Sequence, residues 1–250
     1  MSRVEDAGLN ASAPPQQRWL DGWIVRYLPG KARRARCVNA VAAGRLKLDD
    51  KLAMAAEVYR EANLPMIFRL SRFTQPATLD AELADRGYAK LDSTRVMVLG
   101  TLPSGQTRPL PAGCNFSALG GPDFAEAIGA LRGSPAGHRQ SHALRLQHSP
   151  VPYQGYTIRR DTDSAILACG QFAREADLVG LYDICTLESA RGEGLAGLLC
   201  ERLLSVSALQ GAKTGYLQVE SENAPALKTY RRLGFVDAYR YHYRERPAVA

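Results

Sequence analysis

The sequence predicts a mixed α/β fold made of two similar halves. Three observations lead there. Apolar segments of helix period and of strand length alternate along the whole chain. A Pro/Gly-rich stretch, Gly100–Gly113, divides them. Both halves end in the same pattern: a helix, a glycine, an aromatic residue and a strand. A chain of 250 residues, 46% hydrophobic and 23% charged, is long enough to bury two such cores.

In chain order, residues 1–18 carry no apolar segment and read as a flexible lead. Gly22–Leu28 reads as a strand, Leu48–Ala62 as a helix and Met66–Leu70 as a strand. Thr78–Arg86 is a second helix and Asp92–Leu99 a further strand. Residues 19–100 thus form one unit, and 101–113 a linker. Residues 114–250 form the second unit. There a helix is expected over Asp123–Arg132, followed by strands at Tyr153–Arg160, Ser164–Arg174 and Leu178–Cys185. A helix at Gly194–Leu209, a strand at Gly215–Val219, a helix at Ala224–Leu233 and a strand near Tyr239–Arg244 complete it. The endings Leu83-Ala-Asp-Arg-Gly87-Tyr88 and Tyr230-Arg-Arg-Leu-Gly234-Phe235 stand in the same relation to their strands, 147 residues apart. Glycine suits a helix C-terminus because it accepts positive φ. The repeat suggests a tandem duplication.

Composition excludes several classes. No apolar run approaches the roughly 18 residues of a membrane span, and the N-terminus lacks a signal-peptide core. The five cysteines are odd in number and irregularly spaced. They read as reduced thiols of a cytoplasmic protein, with neither a disulfide framework nor a zinc site. His138 and His142 lie four apart without the acidic context of a metal motif, so no metal is expected. The net charge of +7 is concentrated in residues 1–100, with 16 Lys+Arg against 11 Asp+Glu. Much of it lies in Lys31-Ala-Arg33-Arg34-Ala-Arg36. No recognition motif or interleaved aromatic accompanies that cluster, so it reads as a solvated basic turn rather than a nucleic-acid site.

The sharpest local feature is Asp183-Ile-Cys-Thr-Leu-Glu-Ser-Ala-Arg191-Gly192-Glu193-Gly194-Leu195-Ala196. It runs from a strand through a glycine-rich turn into an amphipathic helix. Free N–H groups and the positive dipole end at such a helix start make an anion site, and Arg191 adds a cation. Gly192-x-Gly194-x-x-Gly197 also satisfies a dinucleotide fingerprint, with Glu220 after the next strand. Six residues intervene after the strand, however, and too little chain follows to complete a doubly wound sheet. A second motif begins 32 residues after Arg191: Asn223-Ala-Pro-Ala226-Leu-Lys-Thr-Tyr230-Arg-Arg-Leu-Gly234-Phe235. Asn223 can cap this helix, Pro225 is tolerated in its first turn, and Gly234 ends it.

Together, Arg191-x-x-Gly194-x-Ala196 and Asn223-x-x-Ala226-x-x-x-Tyr230-x-x-x-Gly234-Phe235 resemble the pyrophosphate loop and following helix of the GNAT acetyltransferase superfamily. The resemblance covers residues 115–245. It implies a mixed, mostly antiparallel sheet flanked by helices, in two tandem GNAT-like domains. The first is degenerate, with Leu83 where the second has Tyr230 and with no Arg-x-x-Gly-x-Gly/Ala loop. It also implies direct transfer of an acetyl group from acetyl-CoA to a primary amine of a small molecule or peptide. The backbone of Ile184, Cys185 and Thr186 is expected to bond the cofactor arm. Arg191, Gly192, Glu193, Gly194, Leu195 and Ala196 are expected to hold its pyrophosphate, and Asn223 to touch the arm. Tyr230 is expected to act as general acid and to line the cofactor groove. Asp183 and Glu220 are the candidate bases. Cys185 lacks the His/Asp partners of a covalent nucleophile. A non-catalytic acyl-CoA-binding regulatory module is the alternative.

Overall fold

The structure, a computed structural model, describes residues 2–103 and 107–246. In chain order its elements are α1 (Ser2–Ala11), β1 (Gln17–Leu20), β2 (Trp23–Arg26), β3 (Val38–Ala40), α2 (Leu48–Glu61), β4 (Ile67–Ser71), α3 (Leu79–Asp85) and β5 (Ala89–Leu99). The second half holds β6 (Cys114–Leu119), α4 (Gly121–Leu131), α5 (Ala136–Gln147), β7 (Tyr153–Arg160), β8 (Ile166–Glu175), β9 (Leu178–Thr186), α6 (Leu195–Leu209), β10 (Thr214–Glu220), α7 (Ala224–Arg232) and β11 (Val236–Glu245).

All eleven strands form one sheet in the order β1-β2-β3-β4-β11-β5-β10-β9-β8-β7-β6. Two neighbouring pairs, β3–β4 and β9–β10, are parallel; the rest are antiparallel. The order shows an exchange at the centre. β5, from the first half, lies between β10 and β11. β11, from the second half, lies between β4 and β5. Neither half closes a sheet from its own strands alone.

Successive strand residues face opposite sides of the sheet, so two apolar layers form. On one face Leu198, Leu199 and Leu203 of α6 pack on Phe172, Val179, Leu181 and Leu217. Leu52, Ala55 and Val58 of α2 pack there on Trp23, Val25 and Phe68. The other face carries Tyr182, Tyr216, Tyr239, Tyr241 and Tyr243 beneath α1. Further along that face, Phe124 and Ile128 of α4 cover Cys169.

Most predicted elements fall within a few residues of the observed ones. The expected flexible lead is the main correction, because Ser2–Ala11 is a packed helix. Val4, Ala7, Gly8 and Ala11 form its buried stripe. The stripe has helical spacing but small side chains, so it gave little apolar signal. Small residues let α1 lie close: a Cβ on Gly8 would come 2.9 Å from Gln218 Nε2. The polar helix α5 and the short strands β1, β3 and β6 escaped the sequence reading for the same want of apolar periodicity.

One buried ion pair ties α1 to the sheet. Glu5 accepts from Arg69 Nη1 at 2.5 Å and Nη2 at 2.9 Å, and from the Tyr239 hydroxyl at 2.6 Å. The side chains are only 9% and 5% exposed. Burial pushes the Glu5 pKa up, but the hydrogen bond and charge of Arg69, with Tyr239 and Ser71, outweigh it and hold the pKa below 4.5. A carboxylate depressed in the folded state adds stability above its unfolded pKa and loses it as pH falls through the folded one. Glu5→Gln, which leaves the Arg69 charge buried without its partner, should cost about 3 kcal/mol at pH 7. Urea unfolding at a series of pH values checks this; the gap between variant and wild type should close below about pH 4.5.

Candidate active site

The site begins where two parallel strands part. β9 and β10 pair only from Leu178↔Thr214 to Leu181↔Leu217, although β9 continues to Thr186 and β10 to Glu220. The parting follows an irregularity on the other edge of β9. The β8–β9 register shifts between Cys169 and Gln171, and Asp183 takes a φ of 55°. That conformation is uncommon for a residue other than glycine. Beyond it, Ile184, Cys185 and Thr186 are half-buried, and their β10-facing edge has no strand partner.

Asp183 is locked in place. Its Oδ1 accepts from Arg132 Nη1 at 2.9 Å, and its Oδ2 from Gln171 Nε2 at 2.7 Å. His142 Nε2 lies 3.3 Å from Oδ2. Burial would raise the Asp183 pKa, but the bond and charge of His142 and the charges of Arg132 and Arg145 hold it well below the carboxylate range.

The glycine turn meets the same opening. Gly192 and Gly194 have φ of 88° and 80°, with open space where a Cβ would lie. This left-handed conformation is why glycine stands at both places. Gly194 is the N-cap of α6. The first α6-side amide bonded to protein is Leu198, which donates to the Gly194 carbonyl. Among the described residues the amides of Gly192 to Gly197 have no protein acceptor. Arg191 is exposed, 3.5 Å from Glu188.

α7 forms the remaining wall. The Asn223 Oδ1 accepts from the Ala226 amide at 3.2 Å and caps the helix, leaving its Nδ2 available. Tyr230 points into the core formed with α6 and stacks edge-on against Phe235 at 6.1 Å. Its hydroxyl has no hydrogen-bond partner among the described residues. Burial, with the nearby Cys200 thiol, raises its pKa well above the phenol range, while the charge of Arg132 pulls the other way. Arg132 pairs with Asp183, and its charge also reaches Tyr230. Glu220 ends β10, exposed, with no cation within 4 Å among the described residues.

Comparison with known proteins supplies a family. Residues 164–244 match the family model described as "Probable histone acetyltransferase Rv0428c C-terminal". The chain is 25% identical over 242 residues, 91% of each chain, to the uncharacterized N-acetyltransferase YobR of Bacillus subtilis. It is similar in fold to a GCN5-related N-acetyltransferase from Kribbella flavida, with a TM-score of 0.67 at 18% identity, covering 99% of this chain and 96% of that one. The chain is thus similar in sequence to an N-acetyltransferase and has the fold of GCN5-related N-acetyltransferases. A tandem GNAT protein from the clavulanic acid biosynthesis pathway shares the fold at a TM-score of 0.64 and 14% identity, over 81% of this chain and 70% of that one.

At the corresponding spacing the first half has a helix start with a different turn. α2 starts at Leu48 and α6 at Leu195, 147 residues apart, so Lys47 stands where Gly194 would be. Lys47 has a φ of −62° and builds no glycine turn. The space is filled from within: the Asp21 carboxylate accepts the amides of Arg45 and Leu46 at 2.9 Å. Lys51 Nζ, 3.5 Å from the same carboxylate, sits beside it. A Cβ on Gly44 would run into Asp21. An internal anion thus occupies the amides that a phosphate would need.

Arg132, Gln171 and Gln218 were not singled out in the sequence, and Arg34 was read there only as part of a solvated basic turn. Nothing in their local sequence distinguishes them, and His142 drew notice only as a failed metal ligand. Asp21→Ala should lower the urea midpoint of unfolding, since it strips the Arg45 and Leu46 amides of their acceptor. Acetyl-CoA affinity by calorimetry should stay within about twofold, because the two loops share no contacts.

Proposed function

We propose that the chain transfers an acetyl group from acetyl-CoA directly to a primary amine, with Tyr230 as general acid. The observation that carries this is the set of acceptor-free amides at Gly192–Gly197, opening onto the gap between β9 and β10.

The residues present fit the co-substrate. Those amides and Arg191 suit a pyrophosphate. The unpaired edge of Ile184, Cys185 and Thr186 suits an amide-bearing arm, and the spare Asn223 Nδ2 can donate to it. Acetyl-CoA held there supplies an activated acetyl group and a thiol leaving group. The protein's part is then proton management and positioning. Tyr230, kept protonated by burial, holds a proton for the departing sulfur. Glu220, exposed and without an ion-pair partner, takes a proton from the acceptor ammonium. Asp183 keeps the β9 bulge in place through Arg132 and His142. Backbone N–H groups at the parted edge are suited to polarise the acyl carbonyl.

Gly194→Glu should abolish acetyl-CoA binding in calorimetry, since it adds bulk and negative charge beside those amides and strains a φ of 80°. Unchanged affinity would remove the loop assignment. Tyr230→Phe should cut turnover by about 10²–10⁴-fold with little change in acetyl-CoA affinity. Wild-type turnover in that variant would take Tyr230 out of the acid role. Binding of acetyl-CoA without thiol release to any amine would favour the non-catalytic module.

A further inference from the structure

The basic cluster near residue 34 does not stay with its own half. The connection from β2 to β3 carries Lys31, Arg33, Arg34 and Arg36, and it reaches across the tyrosine-lined face to the second half. Arg34 Nη1 lies 3.4 Å from Gln218 Oε1 and 3.3 Å from the Tyr241 hydroxyl. A Cβ on Gly30 would stand 3.7 Å from Ser141 of α5. Gln218 is the first β10 residue beyond the last pair with β9. The Arg34 guanidinium therefore lies beside the β10 residue at which the strands part, on the face opposite α6.

Its charge is unanswered. Arg33 pairs with Asp92, Arg69 with Glu5, and Arg132 with Asp183. Among the described residues no carboxylate lies within 4 Å of Arg34. A partly buried guanidinium held only by a neutral amide and a phenol retains donors for an oxyanion. Two residues on from Gln218, and so on the same face, stands Glu220. Among the described residues no cation lies within 4 Å of it either. The rise along a strand puts these two positions about 7 Å apart. A cation that touches Gln218 and an anion two positions further along β10 thus stand on the same face, neither with an ion-pair partner among the described residues.

We infer that the acceptor is a small zwitterion: a primary ammonium with a carboxylate or phosphate a few bonds away, the oxyanion held by Arg34 and the nitrogen presented to Glu220. The inference rests on the acetyl-transfer reading of the same site. It makes the first half, which has plugged its own anion loop, the source of acceptor selectivity for the second.

The test is steady-state thiol release by the full chain at saturating acetyl-CoA, with matched acceptors. α-Amino acids are compared with their decarboxylated amines, and phosphoethanolamine with ethanolamine. The oxyanion-bearing member of at least one pair should have a kcat/KM about 10- to 100-fold higher, mostly through KM. The pair that responds identifies carboxylate or phosphate as the anchor. Arg34→Gln should erase that advantage, bringing kcat/KM for the oxyanion-bearing acceptor down to that of its neutral partner, and Arg34→Lys should keep part of it. Equal or better use of the neutral amines by the wild type overturns the inference without any variant. So does an advantage that survives in an Arg34→Gln protein whose melting curve shows it folded. Failure of the underlying reading looks different: acetyl-CoA neither binds in calorimetry nor loses its acetyl group with any amine, and the inference falls with it.

Discussion

The antiparallel pairing of β5 with β11 is the contact on which the rest of the molecule depends. It runs from Val236↔Val98 to Glu245↔Ala89, at the centre of the sheet. Each of these strands is the last of its half, and each is inserted beside the other half's strands. Separating the halves would leave β4 and β10 with open edges and would expose the backbone groups of β5 and β11. Such an edge is costly when buried and a hazard when exposed. The two halves are therefore obligate partners, and the stability of either belongs to the whole. Glu5, Arg69 and Tyr239 reinforce the same junction, since they come from α1, β4 and β11.

This junction also sets the geometry of the site. β10 is held on one side by β5 along Thr94–Leu99, which fixes its course. It is held on the other side by β9 for only four residues, so β9 is the strand that turns away. The bulge at Asp183 accommodates that turn, and Arg132 and Gln171 hold its carboxylate by hydrogen bonds, with His142 beside it. The amides at the start of α6 and the Tyr230 phenol then meet at the gap from one face. Gln218, Glu220 and the loop bearing Arg34 meet it from the other. The proposed chemistry uses residues of the second half, while Arg34 beside Gln218 comes from the first.

The two halves are alike in their helix endings and differ in their turns. Gly87 and Gly234 end equivalent helices with φ of 82° and 90°. The helix starts at Leu48 and Leu195 keep the same spacing. Yet Asp21 fills one set of loop amides from within, whereas the other set stands open. With Lys47 at the helix start and the Asp21 carboxylate opposite it, the first-half turn is a closed hydrogen-bond cluster. Sequence reasoning caught the loss of the loop but not its cause, because Asp21 lies 24 residues from the amides it caps.

The sequence by itself determined the helix–strand alternation, the family motifs and the positions of Gly194, Asn223 and Tyr230. Each of these rests on local physics: apolar period, glycine at positive φ, and a side-chain cap one turn away. It missed α1, whose stripe is made of small residues, and α5, whose apolar signal is weak. Tertiary structure alone decided which strands neighbour which, and so exchanged β5 and β11 between halves that the sequence had divided at residues 101–113. It alone brought Arg132 and His142 to Asp183, and Arg34 to Gln218 across 184 residues. Such contacts are set by burial and charge complementarity over the whole sheet, and no local periodicity encodes them.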